Sequence, residues 1–277
     1  MSESPLQQLA IDVGNSRTKV VLLETNLQAV ESKQLPLIVN TCSTRNEQPL
    51  PWKQINGWFD GQRENRCQSV VAGSNPRGIE ELVRSWPGGT LPPPVEIFNT
   101  AIFPLEICVD EPRKVGIDRL LNAVAAHTLQ DPEQTAIIID SGTATTVDVV
   151  NPNGSFAGGT ILPGFELSAK ALHHYTALLP LIPVDDLRQT EPVVLGKNTT
   201  DAIRSGLFWG QLGAVRELVS QLRNQIQLDT NQVSPLVLLT GGGSDLLAPH
   251  LEGSVRFEPW LTLQGLALVA QKMNGAR

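Results

Sequence analysis

The sequence predicts an α/β chain built from two copies of one domain, and two observations carry that expectation. The first is an internal repeat. Ile11-Asp12-Val13-Gly14-Asn15-Ser16-Arg17-Thr18 is matched by Ile139-Asp140-Ser141-Gly142-Thr143-Ala144-Thr145-Thr146 at one constant offset. Each copy reads as strand, Asp-x-Gly turn, strand, and the offset is too long for a solenoid. The second is the alternation of short apolar runs, typical of buried strands, with segments of helical period. The 277 residues are 41% apolar and 18% charged, enough for two cores and too apolar for disorder. Asp131-Pro132 is the expected break, giving domains 1–130 and 131–277.

Along the chain, residues 1–8 read as a frayed start. Residues 9–13 and 18–24 read as strands joined by Gly14-Asn15-Ser16. Residues 34–66, rich in Pro, Asn and Gln, show no clear period, and Trp52 and Trp58 are the expected anchors there. Residues 68–72 form a buried strand ending at Gly73. A helix follows with Ile79, Leu82, Val83 and Trp86 on one face, stopped by Pro87-Gly88-Gly89. Leu91 to Lys114 is loop and edge strand, and Arg119 to Leu129 an Ala-rich helix. Residues 135–139 and 145–150 start a meander that turns at Asn151-Pro152-Asn153-Gly154. Residues 165–179 read as a helix ending before Pro180. Residues 200–226 make a long helix, in which Gly206, Gly210 and Gly213 are places where another backbone could approach. A buried strand at 236–240 closes on Gly241-Gly242-Gly243, and a last helix starts near Leu263.

Composition excludes several classes. The net charge is −7 and no block of Lys and Arg offers a cationic face, so nucleic acid is not an expected partner. No window approaches the ~20 apolar residues of a membrane span. Cys42, Cys67 and Cys108 are odd in number and widely spaced, which suits reduced thiols in the cytoplasm better than disulfides or zinc. MSESPLQQ lacks the features of a signal peptide. The four histidines show no metal-ligand spacing.

The two Asp-x-Gly turns are the candidate phosphate cradles. A Gly lets backbone N–H groups turn toward an anion, and an Asp at the end of an apolar strand can hold a cation that bridges phosphates. Either turn alone is equally an ordinary hairpin. Two at matched positions of a duplicated chain point to a nucleotide clamped between domains. Asp118, in Gly116-Ile117-Asp118-Arg119, is either a helix N-cap or a general base that takes a hydroxyl proton. Arg119 is either a surface ion-pair partner or a clamp for an anionic substrate. Thr240-Gly241-Gly242-Gly243-Ser244-Asp245 is either a tight turn or a flat surface for a base or ribose. Neither a Walker loop nor a dinucleotide fingerprint occurs.

These motifs in this order resemble type III pantothenate kinase, of the acetate and sugar kinase, chaperone ATPase and actin superfamily. The similar pieces are IDVGNSRTK, VGIDRLLNA, DSGTATTVDVV, GGTILPGF, Leu178-Leu179-Pro180, GKNTTDAIRSG, TGGGSD and LTLQGLAL, spanning about residues 9 to 270. The resemblance implies duplicated ribonuclease H-like, actin-like domains, each a mixed five-stranded sheet flanked by helices. It implies ATP-dependent phosphorylation of pantothenate, the first step toward coenzyme A. By that resemblance Asp12, Val13, Gly14, Asn15, Ser16, Arg17, Thr18, Lys19 and Thr143 contact ATP, with Asp12 holding Mg²⁺ through water. Asp118 is the proton acceptor, and Val109, Gly116, Ile117, Asp118, Arg119 and Thr199 line pantothenate. Asp140 binds potassium or ammonium, and the protein is a homodimer. One departure stands out: where the family usually has a Tyr, three residues before the Pro equivalent to Pro112, this chain has Val109. Two rival readings are a non-catalytic regulatory relative of the same fold and a kinase for another small hydroxy acid.

Overall fold

The computed structural model describes residues 6–25, 33–59, 67–89, 91–229 and 233–275. The expected frayed start and the end of the 34–66 stretch lie partly outside them. Inside them, Leu6 to Gln8 already belong to a strand. Contacts divide the chain into two units, Met1–Leu129 with Leu261–Arg277, and Gln130–Trp260.

In the first unit, β1 (Leu6–Val13) and β2 (Arg17–Thr25) form an antiparallel hairpin. Strand β3 (Leu37–Arg45) adds antiparallel to β2, and a short helix α1 (Trp52–Gly57) follows. Strand β4 (Cys67–Ala72) lies parallel to β1, then come α2 (Pro76–Arg84) and the two-residue β5 (Val95–Glu96). The sheet order is β3-β2-β1-β4-β5. Helix α3 (Ile117–Leu129) ends the first stretch. Leu9, Ile11, Val20, Val71, Ile79 and Leu82 make the core, with Trp52, Trp58 and Trp86 packed against it. Trp52 meets Trp86 edge-on at 5.0 Å, so the tryptophan anchors are in place.

Strand β3 and helix α1 fill the segment that showed no period. The reason is position: β3 is an edge strand whose residues alternate between exposed and half-buried, with none fully buried. Polar Asn40, Thr41, Ser43 and Thr44 therefore cost little there and blunt an edge that could otherwise pair with other chains.

The second unit repeats the plan. Strands β6 (Ala136–Ser141), β7 (Ala144–Val150) and β8 (Phe156–Pro163) form an antiparallel meander. Helices α4 (Phe165–His174), α5 (Val184–Gln189) and α6 (Thr199–Asp229) follow, then β9 (Leu236–Thr240), α7 (Ser244–Leu247) and β10 (Val255–Phe257). The order is β10-β9-β6-β7-β8, the first sheet's order read in reverse, with β9 parallel to β6 as β4 is to β1. Ile137, Ile139, Val147, Phe208, Leu212, Val215 and Leu239 lie in its core. Helix α4 stops at His174, short of the expected 179, and the chain bends before Pro180.

Two expectations change. The last helix, α8 (Leu261–Gly275), packs with α3 and β1 in the first unit, so a second domain running to 277 does not describe the contacts. Thr262 Oγ1 donates to Asn122 Oδ1 (2.8 Å), Gln264 Nε2 to the Pro36 carbonyl (3.0 Å) and Gln8 Nε2 to the Ala267 carbonyl (3.1 Å). Within α8, Gly265 makes a close approach, and any Cβ there would overlap the Leu121 backbone of α3. By contrast α6 runs without interruption, and nothing lies within 4 Å of where a Cβ would sit on Gly206, Gly210 or Gly213.

Candidate active site

The first turn, Gly14-Asn15-Ser16, closes when the Gly14 N–H donates to the Arg17 carbonyl (3.0 Å). Asp12 and Lys19 are direct cross-strand partners, which puts opposite charges on one face beside the turn. On the other side Asp12 pairs in register with Ala72 of β4. Val13 is buried and contributes backbone: its carbonyl accepts the Asn75 N–H (3.1 Å). Gly73 must be glycine there, since a Cβ would overlap Val13 at φ +149°. Asn15 Nδ2 donates to Ser74 Oγ (3.3 Å). The Arg17 guanidinium is directed at Ser43 on β3, with Nε to Oγ at 3.0 Å. Asn46, just past β3, donates its N–H to the Ser16 carbonyl (3.2 Å) and its Nδ2 to the Gly14 carbonyl (2.9 Å), and its Oδ1 accepts from Thr18 Oγ1 (3.1 Å).

In the same unit Asp118 and Arg119 sit in the first turn of α3. Asp118 is not the residue preceding the helix; Gly116 is. The Asp118 carboxylate accepts the Arg119 N–H (2.9 Å) and folds back over Gly116, where a Cβ would come 2.5 Å from Oδ1. The glycine of Gly-x-Asp-Arg thus makes space for the aspartate. Both acid and arginine are half-buried, as is Val109.

The second turn is one residue shorter. The Gly142 N–H donates to the Ala144 carbonyl (3.0 Å), and the Gly164 N–H to the Thr143 carbonyl (3.0 Å). A Cβ on Gly164 would overlap the Gly142 carbonyl, so Gly164 is pressed directly against the turn. Gly159 plays a related part opposite the fully buried Asp148, which accepts from Thr146 Oγ1 (3.0 Å). Asp140, next to last in β6, lies between Thr146 and Thr240. Gly241, at φ +96°, is pressed against Asp140 and Ser141, and a Cβ there would come 2.5 Å from Asp140 Oδ1 and from the Ser141 backbone. Thr199 is exposed at the start of α6, where Gly196 packs against Ala202.

The three glycines after β9 are not equivalent. Gly241 and Gly243 pack on Asp140 and Ser141, whereas the space beside Gly242 is open. Arg188 of α5 fixes this loop. Its Nη2 donates to the Gly242 carbonyl (2.6 Å), Nε and Nη2 grip both oxygens of Asp245 (2.8 and 3.1 Å), and Nη1 reaches Asp185 (2.9 Å). Hydrogen bonding to Asp245 holds the guanidinium above its usual pKa range, so it stays charged. Sequence reasoning missed both Asn46 and Arg188. Each acts on a turn far away in sequence, and no local pattern announces such a contact. Among the described residues, no group of three or more His, Cys, Asp or Glu side chains is arranged to hold a metal.

Two five-stranded mixed sheets of one strand order, each with an Asp-x-Gly turn, define a duplicated α/β fold. A Campylobacter jejuni protein assigned to the Baf family of transcriptional activators matches 96% of this chain and 99% of its own at TM-score 0.56, with 17% identity, a likeness of fold alone. The family model for type III pantothenate kinase matches residues 8–221. The Syntrophotalea carbinolica type III pantothenate kinase is 32% identical over 271 residues, 96% of this chain and 99% of that one. The Paramagnetospirillum magneticum type III pantothenate kinase is 42% identical over 162 residues, 58% of each. The chain belongs to the type III pantothenate kinase family.

Proposed function

We infer that the chain transfers the γ-phosphate of ATP to pantothenate, the reaction its family membership carries and the first step of coenzyme A synthesis. The observation that supports assigning residues is the repeated turn: a strand-end aspartate, a glycine N–H closing the bend, and a backbone brace from the next strand's exit. Asp12 to Lys19 hold the ATP phosphates through backbone N–H groups and Lys19, and Thr143 also contacts ATP. Asp118 accepts the proton of the pantothenate hydroxyl. Gly116, Ile117, Arg119 and Thr199 hold the substrate, with Arg119 pairing its carboxylate. Val109 brings no hydroxyl, so that position contributes packing only. Such a site works by positioning and charge neutralisation.

Two cations belong to this reading. Asp12, beside the first turn, would hold Mg²⁺ through water, and Asp140, beside the second, would hold potassium or ammonium. Bound there, they would offset phosphate charge. A homodimer is supported by exposed apolar side chains of the second unit, Tyr175 (83%), Leu178 (91%), Val194 (74%) and Leu195 (77%). The segment carrying Val194 is held on α6 by Ser205 and Trp209, beside the open glycines. Light scattering on the purified protein tests this, and a monomer overturns it. No helix among the described residues is long and apolar enough to cross a membrane. The three free cysteines support a cytoplasmic setting.

The deciding assay couples ADP release to NADH oxidation with ATP, Mg²⁺ and pantothenate, with and without potassium. Other small hydroxy acids serve as comparison substrates. Turnover with pantothenate and stimulation by potassium are expected. No ADP release with any acid would favour a regulatory relative, and turnover with a different acid alone would reassign the substrate.

A further inference from the structure

The two units hold their turns by one backbone device and differ in a side chain. In each, the residue directly after the third strand of the meander donates its N–H to the last residue of the turn: Asn46 to Ser16 (3.2 Å), Gly164 to Thr143 (3.0 Å). In each, the loop after the parallel strand donates to the residue after the strand-end aspartate: Asn75 to Val13 (3.1 Å), Gly243 to Ser141 (2.7 Å). The second turn is short enough for Gly164 to press against it, and any side chain would collide. The first turn has one more residue, and a bare backbone does not fill the gap. There the Asn46 amide spans the bend, donating to Gly14 on one limb and accepting from Thr18 on the other.

We propose that Asn46 is a positioning residue for ATP binding, a strut that sets the curvature of the Gly14-Asn15-Ser16 turn so that its N–H groups converge on phosphate. The proposal rests on the reading of that turn as a phosphate cradle. It also gives β3 a purpose, because that edge strand carries Asn46 to the turn. The amide is needed in both senses. A carboxylate at 46 can still accept from Thr18, but it cannot donate to the Gly14 carbonyl, and it would place negative charge beside the phosphates. Both side-chain bonds are solvent-exposed, so the strut contributes little to global stability.

The test compares Asn46→Ala and Asn46→Asp with the parent protein. Binding of a non-hydrolysable ATP analogue with Mg²⁺ is followed by calorimetry, alongside steady-state kinetics and thermal melting. Asn46→Ala should weaken the analogue and raise KM for ATP about tenfold, because the unbraced turn must then be ordered at the moment of binding. Asn46→Asp should weaken both further, with KM for pantothenate and the melting temperature unchanged in both variants. Parent-like analogue affinity in both variants overturns the proposal. So does a melting temperature that falls in step with ATP affinity, which marks a merely structural role. A parent protein that binds the analogue but phosphorylates no pantothenate ends the substrate reading, and the strut is then judged on analogue affinity alone. A parent that binds no nucleotide ends both.

Discussion

The first and second turns share a backbone plan, yet they are stiffened in opposite ways. The first is propped by side chains, Asn46 across the bend and Asn15 to Ser74. The second is stiffened by the absence of side chains, since Gly164, Gly241 and Gly243 pack where any Cβ would crowd the backbone or Asp140. A propped turn is tunable by substitution, and a packed one tolerates almost none. The units also divide labour. The first carries the proposed base, whereas the second carries the proposed potassium ligand and the Arg188-held glycine loop.

Substitutions can break this comparison. The largest effect is expected at Asp118. Asp118→Asn should lower kcat by about 10²–10⁴-fold with an unchanged melting temperature. Near-parent turnover in that variant would remove Asp118 as base. Next come the paired glycines. Gly241→Ala forces a β-carbon onto φ +96° and toward Asp140, costing about 1–3 kcal/mol of stability. Gly14→Ala meets only the Arg17 carbonyl at 3.1 Å and should cost under about 1 kcal/mol. Urea midpoints measure both, and equal losses would erase the distinction between propped and packed. Smaller still, Arg188→Lys keeps a charge but not the fork that grips Asp245 and Gly242 together. KM for ATP should rise several-fold (on the order of 1 kcal/mol), with KM for pantothenate unmoved. A change in the pantothenate constant instead would tie this loop to the wrong substrate.

The smallest effect concerns thiols. Burial on β4 pushes the Cys67 pKa up to about 11 from the usual 9.0. At pH 8 its thiolate is about a hundredfold scarcer than that of an ordinary thiol. Iodoacetamide should modify exposed Cys108 well before Cys67. By the same sign, the stability that Cys67 gains from staying neutral is fully present below about pH 9 and is lost as pH rises through 11.

Much of the fold was legible. Ile11-Asp12 and Ile139-Asp140 lie where buried apolar strands meet an Asp-Gly bend, and such bends are written locally. What escaped the sequence depends on distant partners. Strand β3 alternates only between exposed and half-buried positions and places polar and apolar residues on both, so no hydrophobic alternation marked it. Asn46 and Arg188 act on loops 32 and 54 residues away, at Gly14 and Gly242. Gly206, Gly210 and Gly213 looked like close-approach positions and meet nothing, while Gly265, hidden in the apolar run of α8, presses on the α3 backbone. The role of each glycine followed from what faced it, which composition does not encode.

That last helix has a consequence for biosynthesis. Helix α3, which presents Asp118, leaves the ribosome before the whole second unit, while its packing partner α8 comes after it. The bed beneath the proposed base is therefore finished only when two distant stretches of the chain meet. Until then the α3 surface around Leu121 awaits its cover, so a stalled or shortened translation product would expose it to chaperones and would be inactive even with every named active-site residue already synthesised.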